Sequence, residues 1–300
     1  MPFDLDLDHP ALPVPEALAA EQFAMVLRRM ADDLTYGIDP SRFFGAGTDY
    51  AQSRLYQRGD AVRSIDWRVT ARSGKVHVKD FDSTKRSGVV LVVDTSASMA
   101  VSSEPLSKHD VAIWIAGTLA MVGLKRRSPV SVFAGGNRVG LPPIPSLSRG
   151  KVWAQIDALR QPAEGERGGE GTVIIERLKR IEATLHNVSS ICVISDLHEE
   201  GVAHQLKRLA QRHDVTAIQL QDPIETRPIR AGLMMARGAE HDDGEVITGA
   251  FACAPVEGEL ATLPAAGVRH AVISTAFGGR EVMPGLRKLF NARSAARGAR

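Results

Sequence analysis

Two cysteines, Cys192 and Cys253, are all that this 300-residue chain contains. They make no disulfide framework, and neither has metal-ligand spacing to another Cys or His, which fits a reducing compartment. Charge of one sign is missing too. The net charge is only +2 with 24% charged residues, so bulk electrostatics gives no argument for nucleic acid. No stretch approaches the roughly 20 apolar residues that a membrane-spanning helix needs. The longest apolar run, residues 111–124, carries Trp114 and Thr118 and reads as a buried helix. The N-terminus, MPFDLDLDHP, is acidic where a secretory signal is basic, and no apolar core follows it. A cytoplasmic protein is therefore expected. What the chain does have is 44% hydrophobic residues, ample for one large core or a core with an appendage.

The densest information lies in residues 89–100, VVLVVDTSASMA. Five apolar, mostly β-branched residues predict a strand covered on both faces, as in the middle of a parallel sheet. At its carboxyl end stand Asp94, Ser96 and Ser98, spaced two apart, so a carboxylate and two hydroxyls can turn toward one hard cation. The plainer alternative is that Asp94 ends the strand and Ser98 caps the next helix. A second buried strand, residues 191–196 (ICVISD), ends in a second carboxylate, Asp196. Between the two strands the glycine-rich GGEGT presents Thr172, which is either a fifth oxygen ligand or a helix cap. Strand ends of this kind are where open α/β sheets place ligands.

Along the chain, residues 15–34 have apolar positions at helical spacing and predict an amphipathic helix packed on the body. Residues 43–81 are dense in glycine and arginine and end in a strand after a Ser73-Gly74 turn. Arg54, Arg58, Arg63, Arg68 and Arg72 lie near Asp49, Asp60 and Asp66. They read either as structural ion pairs or as a surface for an acidic partner, which the guanidinium fork suits. Tyr56 and Trp67 are expected at core positions, which leaves no exposed aromatics for stacking bases. From residue 89 to 220 strand and helix alternate, the pattern of a doubly wound parallel sheet. Beyond Asp222 a small hairpin, a short strand at 270–274 and a terminal helix are expected, then a basic tail. The divisions follow: a helical segment (1–40), an Arg/Gly-rich segment (41–85), the metal-binding core (86–222), an α+β appendage (223–290) and the tail (291–300).

Asp-x-Ser-x-Ser, then Thr172, then Asp196 resembles the metal-ion-dependent adhesion site of von Willebrand factor A domains. The ordered string Gly45-x-Gly47, Arg54-x-Tyr56, Gly59-Asp60, Arg63-x-Ile65-Asp66-Trp67, Ala71-Arg72 and Val78-Lys79-x-Phe81 closely resembles the bacterial domain-of-unknown-function 58 family. That likeness runs on through Asp222-x-x-Glu225 and Ser274-Thr275, and so covers roughly residues 40–290. The resemblance implies a von Willebrand A-like doubly wound sheet in which Asp94, Ser96, Ser98, Thr172 and Asp196 hold Mg2+ or Mn2+. It leaves one position for a partner's carboxylate. It also implies a chaperone-like adaptor working with a MoxR-type AAA+ ATPase and other von Willebrand A proteins. The two N-terminal membrane helices of many such proteins are missing, so contact with the inner membrane is expected only through a partner subunit.

The rival expectation is a metal-dependent hydrolase or phosphotransferase with Asp94 or Ser96 as nucleophile. An Asp-x-Asp phosphatase needs a carboxylate where Ser96 stands, and no G-x-S-x-G elbow surrounds any serine. Gly74-Lys75 and Gly150-Lys151 lack the preceding glycine of a phosphate-cradling loop. His198 and His204 follow Asp196, where a solvent-facing helix start accounts for them as well as a catalytic base does. The sequence is thus read as a binding protein without enzymatic turnover.

Overall fold

The computed structural model describes residues 11–37, 50–57, 65–81, 88–134, 145–160, 173–226, 229–237, 244–251 and 257–291. Helix α1 (Ala20–Gly37) follows the predicted amphipathic spacing, burying Phe23, Val26, Leu27, Met30, Ala31 and Leu34. Next come β1 (Tyr50–Leu55), α2 (Trp67–Ser73) and β2 (His77–Phe81), with the two strands paired antiparallel. The main body then alternates: β3 (Gly88–Val93), α3 (Ala97–Ala100), α4 (Lys108–Lys125), β4 (Val130–Ala134), α5 (Arg149–Arg160), α6 (Ile174–Thr184), β5 (Ser189–Ser195), α7 (Val202–Ala210) and β6 (Asp214–Gln221). After the short α8 (Pro223–Thr226), β7 (Ile229–Arg237) and β8 (Gly244–Phe251) form an antiparallel pair. They are followed by α9 (Glu257–Leu260), β9 (Arg269–Ser274) and α10 (Val282–Asn291).

Five of these strands make one all-parallel sheet in the order β4-β3-β5-β6-β9. The alternation of β3 shows how it is covered. Val89, Leu91 and Val93 pack with α1, α4, α5 and α10, while Val90 and Val92 join the cluster of α6 and α7. A strand apolar at every position is what a sheet with helices on both faces requires. Because β4 lies on one side of β3 and β5 on the other, the strand order reverses at β3. The carboxyl ends of β3 and β5 therefore flank a crevice.

Helix α4 is the central pillar. Ser107 and Asp110 close a capping box at its start, and nearly all its residues are buried. Helix α1 crosses it at Gly117, where an added Cβ would stand 2.7 Å from Leu27 Cδ1. Phe23 and Trp114 meet nearby as a tilted pair with ring centroids 4.9 Å apart.

Two sequence expectations are corrected. The sheet does not end at Leu220, because β9 returns beside β6, in parallel, to become its fifth strand, so the 223–290 stretch is not wholly an appendage. As an edge strand β9 buries only Ile273 fully, and so lacks the continuous apolar run that identified the others. The Arg/Gly-rich stretch also holds a helix, α2, which the sequence reading passed over. Asp66 caps its first amides, accepting from Arg68 N and Val69 N, and Gly74 ends it with φ of 68°. Among the described residues, no helix is long and apolar enough to cross a membrane.

Candidate functional site

Asp94 directly follows β3 and Asp196 directly follows β5, and these two strands are hydrogen-bonded neighbours. Asp94 N donates to Ile194 O at 2.9 Å, which locks the two strand ends together. Both carboxylates are fully buried. Ser195 Oγ lies within reach of both, 2.6 Å from Asp94 Oδ2 and 3.5 Å from Asp196 Oδ1. Asp94 Oδ1 accepts from Ser96 N at 2.9 Å, the tight local turn that carries the chain from strand to α3. That turn brings Ser96 Oγ to 3.0 Å from Ser98 Oγ, and the half-buried Ser98 hydroxyl bonds in turn to Asp196. Asp94, Ser96, Ser98 and Asp196 are thus gathered at one mouth.

Burial, then repulsion from Asp196, pushes the Asp94 carboxyl up from 3.8 to about 6. Asp196 goes the other way. Burial would raise it, but Lys108, with His198 second, holds it below the ordinary carboxylate range. Lys108 is itself 1% exposed, and its Nζ sits 2.9 Å from Asp196 Oδ2 while also pairing with Glu225. Burial works against its charge, yet the two carboxylates outweigh that cost and keep the ammonium above its ordinary range. Glu225 Oε2 accepts from Asp222 N at 3.1 Å. Asp222, also buried, gathers Ser103 N at 3.0 Å, Ile224 N at 2.9 Å, Ser102 Oγ at 3.3 Å, Thr275 Oγ1 at 3.2 Å and the Ser103 hydroxyl. This carboxylate ties the loop after α3 to the ends of β6 and β9, fixing one wall of the crevice.

The oxygen set fits a small hard divalent cation: two carboxylates, two hydroxyls, and no sulfur or imidazole among them. Among the described residues, no three His, Cys, Asp or Glu side chains form a metal cluster, so any cation here rests on the hydroxyls as much as on the acids. Thr172, the remaining expected ligand, lies outside the described residues.

Of the arginines, Arg68 and Arg72 are exposed on α2, Arg54 lies on β1, and Arg58 and Arg63 fall outside the described residues. Trp67 and Tyr56 are not core residues: they are 68% and 40% exposed. For Trp67 the reason is that α2 is a short surface helix that buries none of its residues; Tyr56 lies just past the end of β1. His198 and His204 face solvent, and Cys192 is buried, its thiol pushed up to about 12. Sequence reasoning gave no role to Ser195, Lys108, Asp222 or Glu225. The signal available for Lys108 was a charge placed at the start of an otherwise apolar helix.

The family model described as "Protein of unknown function DUF58" matches residues 52–250. One uncharacterized protein of Mycobacterium bovis and two of Mycobacterium tuberculosis are each 29% identical over 248 residues, covering 78% of this chain and 73% of theirs. Among solved structures, that of an aerotolerance-related membrane protein from Bacteroides fragilis covers 68% of this chain and 98% of its own. Its identity is 17% and its TM-score 0.41.

Proposed function

We propose that this chain, which belongs to the DUF58 family, is a cation-dependent protein-interaction module whose core is a von Willebrand A-like doubly wound sheet. One observation carries it. Two buried carboxylates, Asp94 and Asp196, end adjacent parallel strands where the strand order reverses, the position at which open α/β sheets bind ligands. With Ser96 and Ser98 beside them, and Thr172 as the proposed fifth donor, they would hold Mg2+ or Mn2+ as a metal-ion-dependent adhesion site. A bound divalent cation supplies an open coordination position that an Asp or Glu of a partner fills.

The chain's own residues shape that grip. Ser195 Oγ spans the two carboxylates, the Asp94–Ser96 turn aims the hydroxyls, and Asp222 fixes the loop that forms the rim. Arg68 and Arg72, exposed on α2, offer a second surface for an acidic partner. By family resemblance the partner is a MoxR-type AAA+ ATPase or another von Willebrand A protein. In this role the chain is a cytoplasmic adaptor in the assembly of a protein complex, reaching the inner membrane only through another subunit.

The test is co-purification with a MoxR-type ATPase, comparing wild type, Ser96→Ala and Asp196→Ala in Mg2+ and in EDTA. Recovery that depends on the cation and is lost in both variants supports the proposal. Equal recovery under all conditions means that the cluster is only structural. Nucleotide or phosphoester hydrolysis by wild type that disappears in Asp94→Ala would instead make this an enzyme.

A further inference from the structure

Lys108 stands in an unusual place. It is the first residue of α4, so its charge adds to the positive end of the helix, where cations are ordinarily disfavoured. It is also almost wholly buried. A lysine there needs a strong anionic cause, and it has two: Asp196 Oδ2 at 2.9 Å on one side and Glu225 on the other. The Ser107 capping box anchors the backbone from which the side chain departs, and Glu225 is in turn held by Asp222 N. The ammonium is therefore positioned from both ends. Asp196 gives Oδ2 to the ammonium and turns Oδ1 toward Ser195 Oγ at 3.5 Å and His198 N at 3.4 Å, while the Ser98 hydroxyl also bonds to this carboxylate.

We infer that Lys108 is a built-in counter-cation for this site, which neutralises Asp196 when no metal is bound and thereby sets how tightly a divalent cation is held. The inference rests on the reading of Asp94, Ser96, Ser98 and Asp196 as a cation site. Two buried carboxylates side by side would otherwise repel each other without relief. One internal positive charge, paired with Asp196, offsets part of that repulsion, and it lowers the field that attracts an incoming ion. Metal and ammonium then substitute for one another, so the fold is held together in both states and cation affinity is moderated.

The experiment uses the full chain and the metal alone as the probe. Mg2+ and Mn2+ affinity is measured by calorimetric titration, and melting temperature is measured in EDTA and in saturating metal. The proteins are wild type, Lys108→Met, Lys108→Arg and Glu225→Gln. Lys108→Met is expected to melt several degrees lower than wild type in EDTA, to recover most of that loss in metal, and to bind the cation about tenfold tighter or more. Lys108→Arg keeps the charge and should not tighten binding. Glu225→Gln leaves Asp196 as the ammonium's sole carboxylate partner in that pair and should weaken binding about threefold. If Lys108→Met cannot be purified without metal but can with it, the substitution of one cation for the other is supported directly. Wild type that binds metal, with Lys108→Met binding equally or more weakly, overturns the inference alone. Silence toward metal in both proteins overturns the cation site and this inference with it. A response in Lys108→Met with none in wild type supports both, with the ammonium holding the site closed to metal.

Discussion

Asp94 carries an electrostatic cost that its neighbours only partly relieve. Its hydrogen bonds from Ser195 Oγ and Ser96 N favour the charged form, but burial and Asp196 outweigh them and lift its pKa from 3.8 to about 6. The sign of the resulting pH dependence follows from linkage. A carboxyl raised in the folded state contributes stability that is complete below pH 3.8 and is lost as pH rises through about 6. Asp196 contributes oppositely, since its lowered pKa stabilises the fold above 3.8 and is lost only as pH falls through its folded value. His213 and His270, both held below 6.5 by burial, also contribute as pH falls below 6.5. Between about pH 4 and pH 6 Asp94 is therefore isolated by the difference from a variant without its charge, a loss of at most about 3 kcal/mol. Denaturant unfolding in EDTA should show wild type losing stability across this window relative to Asp94→Asn, which has no charge to acquire. Parallel profiles for the two proteins would mean that Asp94 is already paired in the metal-free fold.

The elements hold the site by being packed where their sequences allow no alternative. Helix α1 can lie close against α4 because Gly117 presents no side chain. A Cβ there would meet Leu27 Cδ1 and Cδ2 at 2.7 Å, and Leu27 is itself completely buried. Gly117→Leu should therefore cost about 3 kcal/mol or more by chemical denaturation, despite the better helix propensity of leucine. A loss below about 1 kcal/mol would show that α1 can lift off α4 freely. The elements that frame the crevice were legible in the sequence because they are covered on both sides. The strands ending at Asp94 and Asp196 are unbroken apolar runs, and the apolar stretch before Leu124 is α4. What stayed hidden was set by tertiary contact. Strand β9 is a half-exposed edge, so Arg269 and His270 in it gave no sign of pairing with β6. Lys108 reads as a surface charge until Asp196 and Glu225, far away in sequence, converge on it. Asp222 and Glu225 were visible as a motif, but their work as a clamp depends on Ser103, Thr275 and Lys108 arriving from three other segments.

For the molecule as a whole, the parallel sheet explains why chemistry collects at one edge. All five strands point the same way, so their carboxyl ends share one rim. At that rim Asp94, Asp196 and Asp222 follow three different strands: β3, β5 and β6. Asp222 is saturated by hydrogen bonds and serves the architecture. Asp94 and Asp196 are crowded, and at their mouth the Ser98 side chain is only half-buried. The central claim is that this mouth binds a divalent cation. Its most direct test is the melting temperature of the intact chain titrated with Mg2+ or Mn2+ against EDTA, for wild type, Asp94→Ala and Asp196→Ala. With affinity near millimolar, about 10 mM metal adds about 1.4 kcal/mol to wild type, a rise of a few degrees, and adds nothing to either variant. A metal response that survives unchanged in Asp94→Ala would place the cation elsewhere and contradict the account.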